Sequence, residues 1–377
     1  MQGCLIFLVS LASLLFDSDE IDISFVGDAM QHQSQLDAAL ASGGSTTYDY
    51  SSYFKEIEPI VKAADYAVVN LECPLGGKGY TGYPQFCAPD SYAKALQDAG
   101  FDLALTANNH ILDRREAGLK RTLAVLDEMN FPHVGCYANA SERDSLAQFI
   151  TNINGFNVAF LNYTYSTNGI PCPPTVAVDY LNLNKMKNDI DNVRKKGAEI
   201  VIVCPHWGLE YKLLPEQAER KMAHALIEHG ADIVMGGHPH VIQPMELRRD
   251  STRNSLIVYS LGNFISGMKT DDTRGGAMCT VKLKRDSLGK PYVADANYRL
   301  LYTQKPCAET KNFRLIPAEL PIEDQTTKTQ RAVFVRNAEA IFNKHNINVS
   351  RDTAPADSFV RRSLIKKIPT IISTVND

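Results

Sequence analysis

Residues 231–240 read ADIVMGGHPH, a short apolar run that leads directly into two glycines and two histidines. A run of this length is typical of a strand that is buried on both faces of a parallel sheet. His238 and His240 stand two residues apart in a chain that contains 9 histidines. Two imidazoles at this spacing can point into one cavity, and we expect the preceding glycines to let the backbone turn sharply. The stretch therefore predicts a buried strand whose end carries a polar site.

Short apolar runs of this kind alternate with helical patterns from residue 21 to about residue 265. Further runs that end in polar residues are IDISFVGD (21–28), DYAVVNLE (65–72), FDLALTANNH (101–110), AEIVIVCPHW (198–207) and SLIVYSLGNF (255–264). Helical patterns lie between the runs at 52–64, 115–130 and 215–230. This alternation predicts an α/β fold. From 275 to about 303 the pattern changes to that of two strands in an antiparallel hairpin.

Each of these strands ends in a polar cluster, and the clusters are rich in metal-ligand residue types. In open α/β sheets, ligands bind beyond the carboxyl ends of the strands, so six such clusters would meet at one site. The candidates carry carboxylate, amide or imidazole groups: Asp28, Glu72, Asn108, Asn109, His110, Asp113, His206, Glu210, His238, His240 and Asn263. These groups bind hard and borderline divalent metals. Thiolates are absent from the set, which argues against a structural zinc site.

Each candidate also has a purely structural interpretation. A lone Asp after a strand is usually a turn former or a helix cap, and His206, beside the only Trp, could be a packing residue. We assign His133, His224, His229 and His345 to this structural class, because three lie in helical patterns or at their ends and none sits in a polar cluster. For the converging set we favour metal binding, because several ligand-type residues at successive strand ends mark a site.

The composition is that of an ordinary globular protein. The 377 residues are 44% hydrophobic and 22% charged, which allows a large core. The formal net charge of -4 gives no basic field, so we expect no nucleic acid among the partners. The 8 cysteines form no C-x-x-C pair and are too sparse for a disulfide framework. If the protein is exported, a bridge between Cys73 and Cys87, which flank a Gly/Pro/Tyr-rich loop, is the first expectation.

The N-terminal residues do not read as part of this fold. Residues 4–16, CLIFLVSLASLLF, carry no charge and are followed by DSDE. The run is short and apolar on every face, which favours a signal or membrane-anchor segment over residues 1–20. A buried N-terminal helix is the alternative. We therefore expect export to the extracytoplasmic face of the cell envelope, with this segment as an anchor if it is retained. The remaining chain divides into a domain over 21–303 and a C-terminal extension of unknown role over 304–377.

Six motifs occur in a fixed order over residues 21–266: GDAM, NLE, NNHILDRREAG, HWGLEY, GGHPHV and SLGNFI. Together they resemble the capsule-synthesis protein CapA family, whose members are linked to poly-γ-glutamate and capsule production. That family is itself similar to the calcineurin-like metallophosphoesterases. The resemblance implies a four-layer α/β/β/α sandwich with a metal centre at the strand ends.

Residue by residue, the resemblance assigns ligands and also shows departures. The first motif of the superfamily is Asp-x-His, whereas here Asp28 is followed by Ala29 and Met30, and a thioether is a poor ligand for a hard metal. His32 lies close enough to replace that imidazole, although we do not assign it there. Glu72 stands where the superfamily has a bridging aspartate. The implied metal ligands are Asp28, Glu72, Asn109, His206, His238 and His240. They suffice for one metal and argue against a symmetric two-metal site.

The chemistry that such a site implies is metal-assisted hydrolysis of a phosphoester or a related bond. A divalent ion (Mn, Zn, Fe or Mg) would lower the pKa of bound water, and His110 would protonate the leaving group. Asp113 would orient a neighbouring histidine, and Glu210 would do the same or act as a general base. Substrate contacts are expected from Asn108, Trp207 and Asn263.

Two other functions stay open from the sequence. The protein could be a non-hydrolytic metal-binding component of a polymer synthesis or export complex, which the N-terminal segment and the imidazole missing at position 30 favour. Alternatively, the bond that is hydrolysed could be an amide in a γ-glutamyl polymer. The expected partners are an anionic polymer or a phosphoester substrate, together with membrane-bound components of capsule synthesis.

Overall fold

Two β-sheets pack face to face, and helices cover the outer face of each sheet. The structure, a computed structural model, describes residues 19–250, 253–355 and 358. The strands are β1 (Glu20–Ala29), β2 (Tyr66–Leu71), β3 (Leu103–Leu105), β4 (His133–Val134), β5 (Cys136–Tyr137), β6 (Phe149–Ile153), β7 (Phe156–Thr164), β8 (Ala177–Val178), β9 (Ile200–His206), β10 (Ile233–Met235), β11 (Met245–Arg249), β12 (Asn254–Val258), β13 (Asn263–Ile265), β14 (Gly275–Arg285), β15 (Pro291–Gln304), β16 (Arg314–Pro317) and β17 (Ser350–Arg351). The helices are α1 (Gln33–Ser42), α2 (Glu58–Val61), α3 (Asp90–Asp98), α4 (Arg115–Glu128), α5 (Ala140–Leu146), α6 (Leu183–Lys195), α7 (Gln217–His229) and α8 (Gln325–His345).

The first sheet combines a parallel half with an antiparallel half. Its order is β16-β15-β14-β1-β2-β3-β4, with β13 paired to β1 and β17 paired to β15. Strands β1 to β4 run parallel, whereas β14 runs antiparallel to both β1 and β15. The β14–β15 hairpin is the one that the change of pattern after residue 275 predicts. Because β13 pairs with β1 beside Asp28, it brings Asn263 opposite that carboxylate.

The second sheet holds the strands that carry the histidines. Its order is β11-β12-β10-β9-β7-β6, and its four inner strands run parallel. All seven residues of β9, IVIVCPH, are buried, as expected for a strand covered on both faces. The edge strands β6 and β11 are antiparallel to their neighbours.

Three hydrophobic clusters fill the spaces between four layers. One lies between the sheets and includes Phe25 of the first sheet and Phe160 of the second, with ring centroids 6.4 Å apart. A second joins the first sheet to α1, α2, α3 and α4, and a third joins the second sheet to α6 and α7. The predicted four-layer α/β/β/α sandwich is confirmed.

Two local predictions are wrong. Residues 52–64, predicted as one helix, form turns and the four-residue helix α2, which begins beside Pro59. Cys73 and Cys87 are free thiols rather than a disulfide. Their sulfur atoms point to different backbone carbonyls, those of Ala29 and Lys78.

The two ends of the chain differ in how far the structure describes them. Residues 304–355 pack on the same sandwich: β16 and β17 pair with β15, and α8 sets Phe342 against Tyr298 at 4.4 Å between ring centroids. The division of the chain after residue 303 stays a prediction. The predicted leader falls, over residues 1–18, outside the described residues. Within the described ranges, no helix is both long enough and apolar enough to cross a membrane.

Candidate metal centre

The predicted ligands come together where parallel strands of both sheets end. Asp28 is the penultimate residue of β1, and Glu72 directly follows β2. His206 is the last residue of β9, while His238 and His240 lie in the loop after β10. All five side chains are buried. The topology therefore places two carboxylates and three imidazoles at one end of the sandwich, as the alternation of strands predicts.

The side chains in this cluster are within ligand distance of one another. Asp28 Oδ2 lies 3.1 Å from His240 Nδ1, and Glu72 Oε1 lies 3.5 Å from His206 Nε2. Two triplets each have their ligand atoms within 4.8 Å of one another: Asp28, Glu72 and His206, and Glu72, His238 and His240. Asn109 joins the first triplet, because its Oδ1 lies 2.7 Å from His206 Nε2.

Two atoms of the cluster are buried without any hydrogen-bond partner, Glu72 Oε1 and His238 Nδ1. A buried carboxylate oxygen and a buried ring nitrogen are costly to leave unpaired, and each is a good ligand for a divalent cation. The donor set of carboxylate, imidazole and amide oxygen therefore fits a divalent metal ion.

The cluster of Asp28, Glu72, His206, His238 and His240 contains no lysine or arginine. Burial raises the pKa of Glu72 well above its usual range, and the nearby Asp28 carboxylate adds to that shift. Burial also raises the pKa of Asp28, but the hydrogen bond and charge of His240 outweigh it and hold this pKa below its usual range. Burial, with a neighbouring imidazole, lowers the pKa of His238 to about 3 and that of His206 well below its usual value. Both imidazoles are thus in the neutral form that binds metals.

The loop at 236–240 turns in a different way from the one expected. The left-handed backbone falls on His238 (φ 100°) and His240 (φ 59°), not on the two glycines. The two glycines are required because a side chain would not fit at either position. A Cβ at Gly237 would lie 3.1 Å from Asp28 Oδ1, and a Cβ at Gly236 would lie 2.2 Å from the Tyr259 carbonyl oxygen. Histidine in left-handed backbone is strained, and such strain is concentrated at functional sites.

A His–Asp pair, His110 with Asp113, lies beside this cluster. His110 Nδ1 is 2.8 Å from Asp113 Oδ2, which also accepts the backbone N–H of Phe86 at 2.7 Å. The Phe86 ring packs edge-on against His110 at 4.6 Å between centroids. The bond to Asp113 uses Nδ1, so Nε2 is the nitrogen that remains to exchange a proton. His110 and Asn109 line a cavity of about 600 Å³ that opens to solvent.

The residues predicted to contact substrate lie mostly behind the site. Asn108 donates to the Leu71 carbonyl at 2.9 Å, and Asn263 Oδ1 lies 3.1 Å from His240 Nδ1. Both side chains are buried, so they support the ligand loops. Trp207 packs in the core between the second sheet and its helices, where its indole donates to a backbone carbonyl at 3.0 Å. Glu210 is exposed and lines the cavity.

Two asparagines that received no role from the sequence also support the site. Asn70 donates to Asp28 Oδ1 at 2.8 Å and to Glu72 Oε2 at 3.3 Å. Asn168 Oδ1 accepts a hydrogen bond from Asn109 Nδ2 at 3.2 Å. Asn70 could have been found from the sequence, since it lies near the end of β2 and precedes Glu72 by two residues in the same polar cluster. Asn168 could not, because it lies in a loop with no motif.

The imidazole that is absent at position 30 is not supplied by His32. Met30 is buried in the core outside the first sheet. His32 Nδ1 accepts the backbone N–H of Gly267 at 3.2 Å, and its ring packs against Phe86. The two potential ligands next to Asp28 therefore belong to the structural framework.

Comparison with known proteins agrees with the motifs. Residues 22–268 match the family described as bacterial capsule synthesis protein PGA_cap. The chain belongs to this family. The resemblance inferred from the six motifs is confirmed. The PGA biosynthesis protein CapA of Bacillus subtilis (strain 168) is 29% identical over 290 residues, which cover 73% of this chain and 71% of that protein. The capsule biosynthesis protein CapA of Bacillus anthracis is 27% identical over 279 residues, which cover 71% and 65% respectively.

A solved structure supports the fold of this family member. A putative 5'-nucleotidase from Staphylococcus aureus, in complex with alpha-ketoglutarate, aligns with 84% of this chain and 58% of its own, with a TM-score of 0.50 and 16% identity. At that identity the likeness concerns the fold alone. It agrees with the predicted α/β/β/α sandwich.

Proposed function

We propose that this protein is a metal-dependent hydrolase of a phosphoester or related bond that acts in capsule or poly-γ-glutamate synthesis. One observation carries the proposal. A buried set of metal-ligand atoms, two of them without partners, lies beside a His–Asp pair at the edge of an open cavity. A site with ligands, a proton donor and room for a substrate is a hydrolytic site by composition.

The metal would be held by side chains from both sheets: Asp28, Glu72, Asn109, His206, His238 and His240. Carboxylate, amide and imidazole ligands suit Mn, Zn, Fe or Mg. When bound, such an ion polarises a phosphoryl oxygen and lowers the pKa of water. Asn70 and Asn263 fix the carboxylate and imidazole of Asp28 and His240 in place.

The proton chemistry belongs to His110. Its Nε2 gives a proton to the oxygen of the leaving group, and Asp113 holds the ring by its Nδ1–H and stabilises the imidazolium form. The Phe86 N–H keeps Asp113 in position, and the Phe86 ring restricts His110 to one orientation. Glu210, exposed at the cavity, contacts solvent and substrate rather than a buried histidine.

The test is hydrolysis of a dialkyl phosphodiester, whose alkoxide leaving group needs a proton, and of bis(p-nitrophenyl) phosphate, whose leaving group does not, each with Mn²⁺ or Zn²⁺ and with metal quantification on the purified protein. We expect His110→Ala to lower turnover of the dialkyl ester by about 10²–10⁴-fold with metal content unchanged, because only the general acid is lost. His238→Ala should lose both metal and turnover. His345→Ala, outside the site, is the matched control. Wild-type turnover of the dialkyl ester in the His110→Ala and His238→Ala proteins would refute the scheme.

A second function is favoured by the side chain at position 30. Met30 occupies the position of the superfamily's imidazole and is buried in the core. With one ligand fewer, the cluster could serve a non-hydrolytic, metal-binding component of a polymer synthesis or export complex. Bound metal with no turnover of either a phosphoester or a γ-glutamyl amide would favour this function over the first.

The cellular setting is also a proposal, and the family and the names of its relatives support only its capsule context. We propose an extracytoplasmic location and association with membrane-bound components of capsule synthesis. The family match over residues 22–268 supports the capsule context. Fractionation of cells that produce the full chain, followed by protease accessibility of the intact cells, tests the location. Protection of the chain from added protease in intact cells, with digestion after lysis, would contradict it.

A further inference from the structure

Exposed hydrophobic side chains are concentrated on the loops around the site. In the described part of the chain, the large hydrophobic residues that are exposed on these loops are Tyr83, Tyr165, Leu209, Tyr211 and Leu214. Such residues are normally scattered singly over a surface, and a cluster of them marks a binding surface. We call the three tyrosines of this set, Tyr83, Tyr165 and Tyr211, the aromatic rim.

Two rim tyrosines stand against metal-site histidines. The Tyr165 ring lies 4.5 Å from the His238 ring between centroids, and the Tyr211 ring lies 6.3 Å from that of His240. Both tyrosines still expose a large part of their surface, 41% and 55%. They can therefore contact a molecule that is bound at the metal cluster.

The third rim tyrosine lines the cavity itself. Tyr83 is 76% exposed and lines the cavity together with His110. Its ring lies 6.4 Å from Phe86, which packs on His110. A leaving group that takes its proton from His110 would lie within reach of the Tyr83 ring.

The charges that line the cavity do not favour an anionic ligand. The charged residues other than histidine are Asp113, Arg114 and Glu210. The Arg114 guanidinium donates to the Gly79 carbonyl and the Thr81 hydroxyl and keeps its charge, so the lining has one guanidinium against two carboxylates. Glu210 is exposed to the cavity and would repel a second carboxylate.

The other polar groups of the lining are neutral. The amides of Gln33, Gln85 and Asn168 can each donate and accept hydrogen bonds. Hydroxyl groups need partners of this dual kind, whereas carboxylates need donors only. Aromatic faces carry negative charge density, which attracts the C–H faces of sugar rings.

We propose that the cavity binds a neutral, hydroxyl-rich leaving group, that is, a sugar residue of the phosphoester, rather than an acidic polymer. This inference rests on the proposed function and specifies its substrate class. The phosphoryl group lies at the metal cluster, the sugar stacks on the aromatic rim, and Glu210 and the neutral amides bind the sugar hydroxyls.

The inference is tested on the full chain by comparing the binding of one uncharged probe and one negatively charged probe. Isothermal titration calorimetry with maltotriose and with tri-γ-glutamate should show tighter binding of maltotriose. Tyr83→Ala should weaken maltotriose binding by about fivefold, since one aromatic contact is lost. Tyr292→Ala, another exposed tyrosine that does not line the cavity, should leave it unchanged. Glu210→Lys should strengthen tri-γ-glutamate binding, whereas Glu323→Lys should not.

The outcomes separate this inference from the proposed function. Tighter binding of tri-γ-glutamate than of maltotriose, no binding of maltotriose, or equal losses in Tyr83→Ala and Tyr292→Ala would each overturn the sugar site. The same preparations are assayed with bis(p-nitrophenyl) phosphate, which needs no sugar. If maltotriose binds, Tyr83→Ala weakens that binding and no hydrolysis is detected, the sugar site is supported and the proposed hydrolase function is contradicted.

Discussion

Two clusters of buried carboxylates in the described part of the chain differ in how their charge is balanced. In the first, on α5 and α6 and the segment between them, Arg143 Nε lies 2.9 Å from Asp179 and its Nη2 lies 2.6 Å from Asp189. Lys185 adds a second cation beside Asp179. Each carboxylate here has a guanidinium or ammonium partner, so the cluster is electrically complete.

The second cluster, at the strand ends, has no guanidinium or ammonium group among its members. Asp28 and Glu72 face the imidazoles of His206, His238 and His240, two of which burial keeps neutral. The comparison shows that burial of carboxylates does not by itself indicate function. The cluster at the strand ends contains no lysine or arginine, and a bound metal ion would supply the positive charge that its carboxylates lack.

The largest effect is expected when a carboxylate of the cluster at the strand ends is neutralised. Asp28→Asn keeps the shape of the side chain and its contact with Asn70 but removes one negative charge. We expect loss of bound metal and a fall in turnover of at least about 10³-fold, because the metal's charge stabilisation of several kcal/mol is lost. Metal content and hydrolysis of bis(p-nitrophenyl) phosphate measure this. Asp22→Asn, at the other end of the same strand, is the control, and equal metal content in the two variants would contradict the assignment.

The second largest effect is expected when the arginine of the cluster on α5 and α6 is removed. Arg143→Ala leaves Asp179 and Asp189 buried with fewer cations, which should lower the free energy of unfolding by about 3–5 kcal/mol. Chemical denaturation measures the loss. Metal content and turnover per folded molecule should stay at the wild-type level. If this variant lost its metal at unchanged stability, the separation of the two clusters would be wrong.

The smallest effects are expected when one carboxylate of each cluster is changed to the corresponding amide. In metal-free protein, Glu72→Gln removes a buried carboxylate that faces Asp28 and has an oxygen without a partner, so it should raise the free energy of unfolding by about 1 kcal/mol. Asp189→Asn removes a carboxylate that is paired with Arg143 and should lower it by about 1–3 kcal/mol. Thermal unfolding after chelation gives both values. Shifts of the same sign would contradict the comparison.

The ligand residues were predictable because both the strands and their ends are local features. The run IVIVCPH predicts strand β9, which ends at His206. Because ligands bind at the carboxyl ends of parallel strands, the end of β9 places this imidazole at the site. Asp28 and Glu72 follow from the same reasoning on β1 and β2. The layers of the sandwich follow from the alternation of strands and helices.

The failures have in common that they depend on contacts between distant segments. Trp207 is next to a ligand in sequence, but its indole turns to the opposite side of the strand and packs in the core. Asn168 reaches Asn109 across 59 positions of the chain. Cys73 and Cys87 flank one loop, yet the sulfur atoms have different neighbours. Sequence spacing alone contains none of this information.

The left-handed backbone at His238 and His240 has a consequence for stability. Glycine or asparagine would adopt these angles at lower cost. Glycine at either position would relieve the backbone strain but would leave a cavity where a buried imidazole now packs. Strain in the backbone and packing of the side chain therefore act in opposite directions on the stability of this loop.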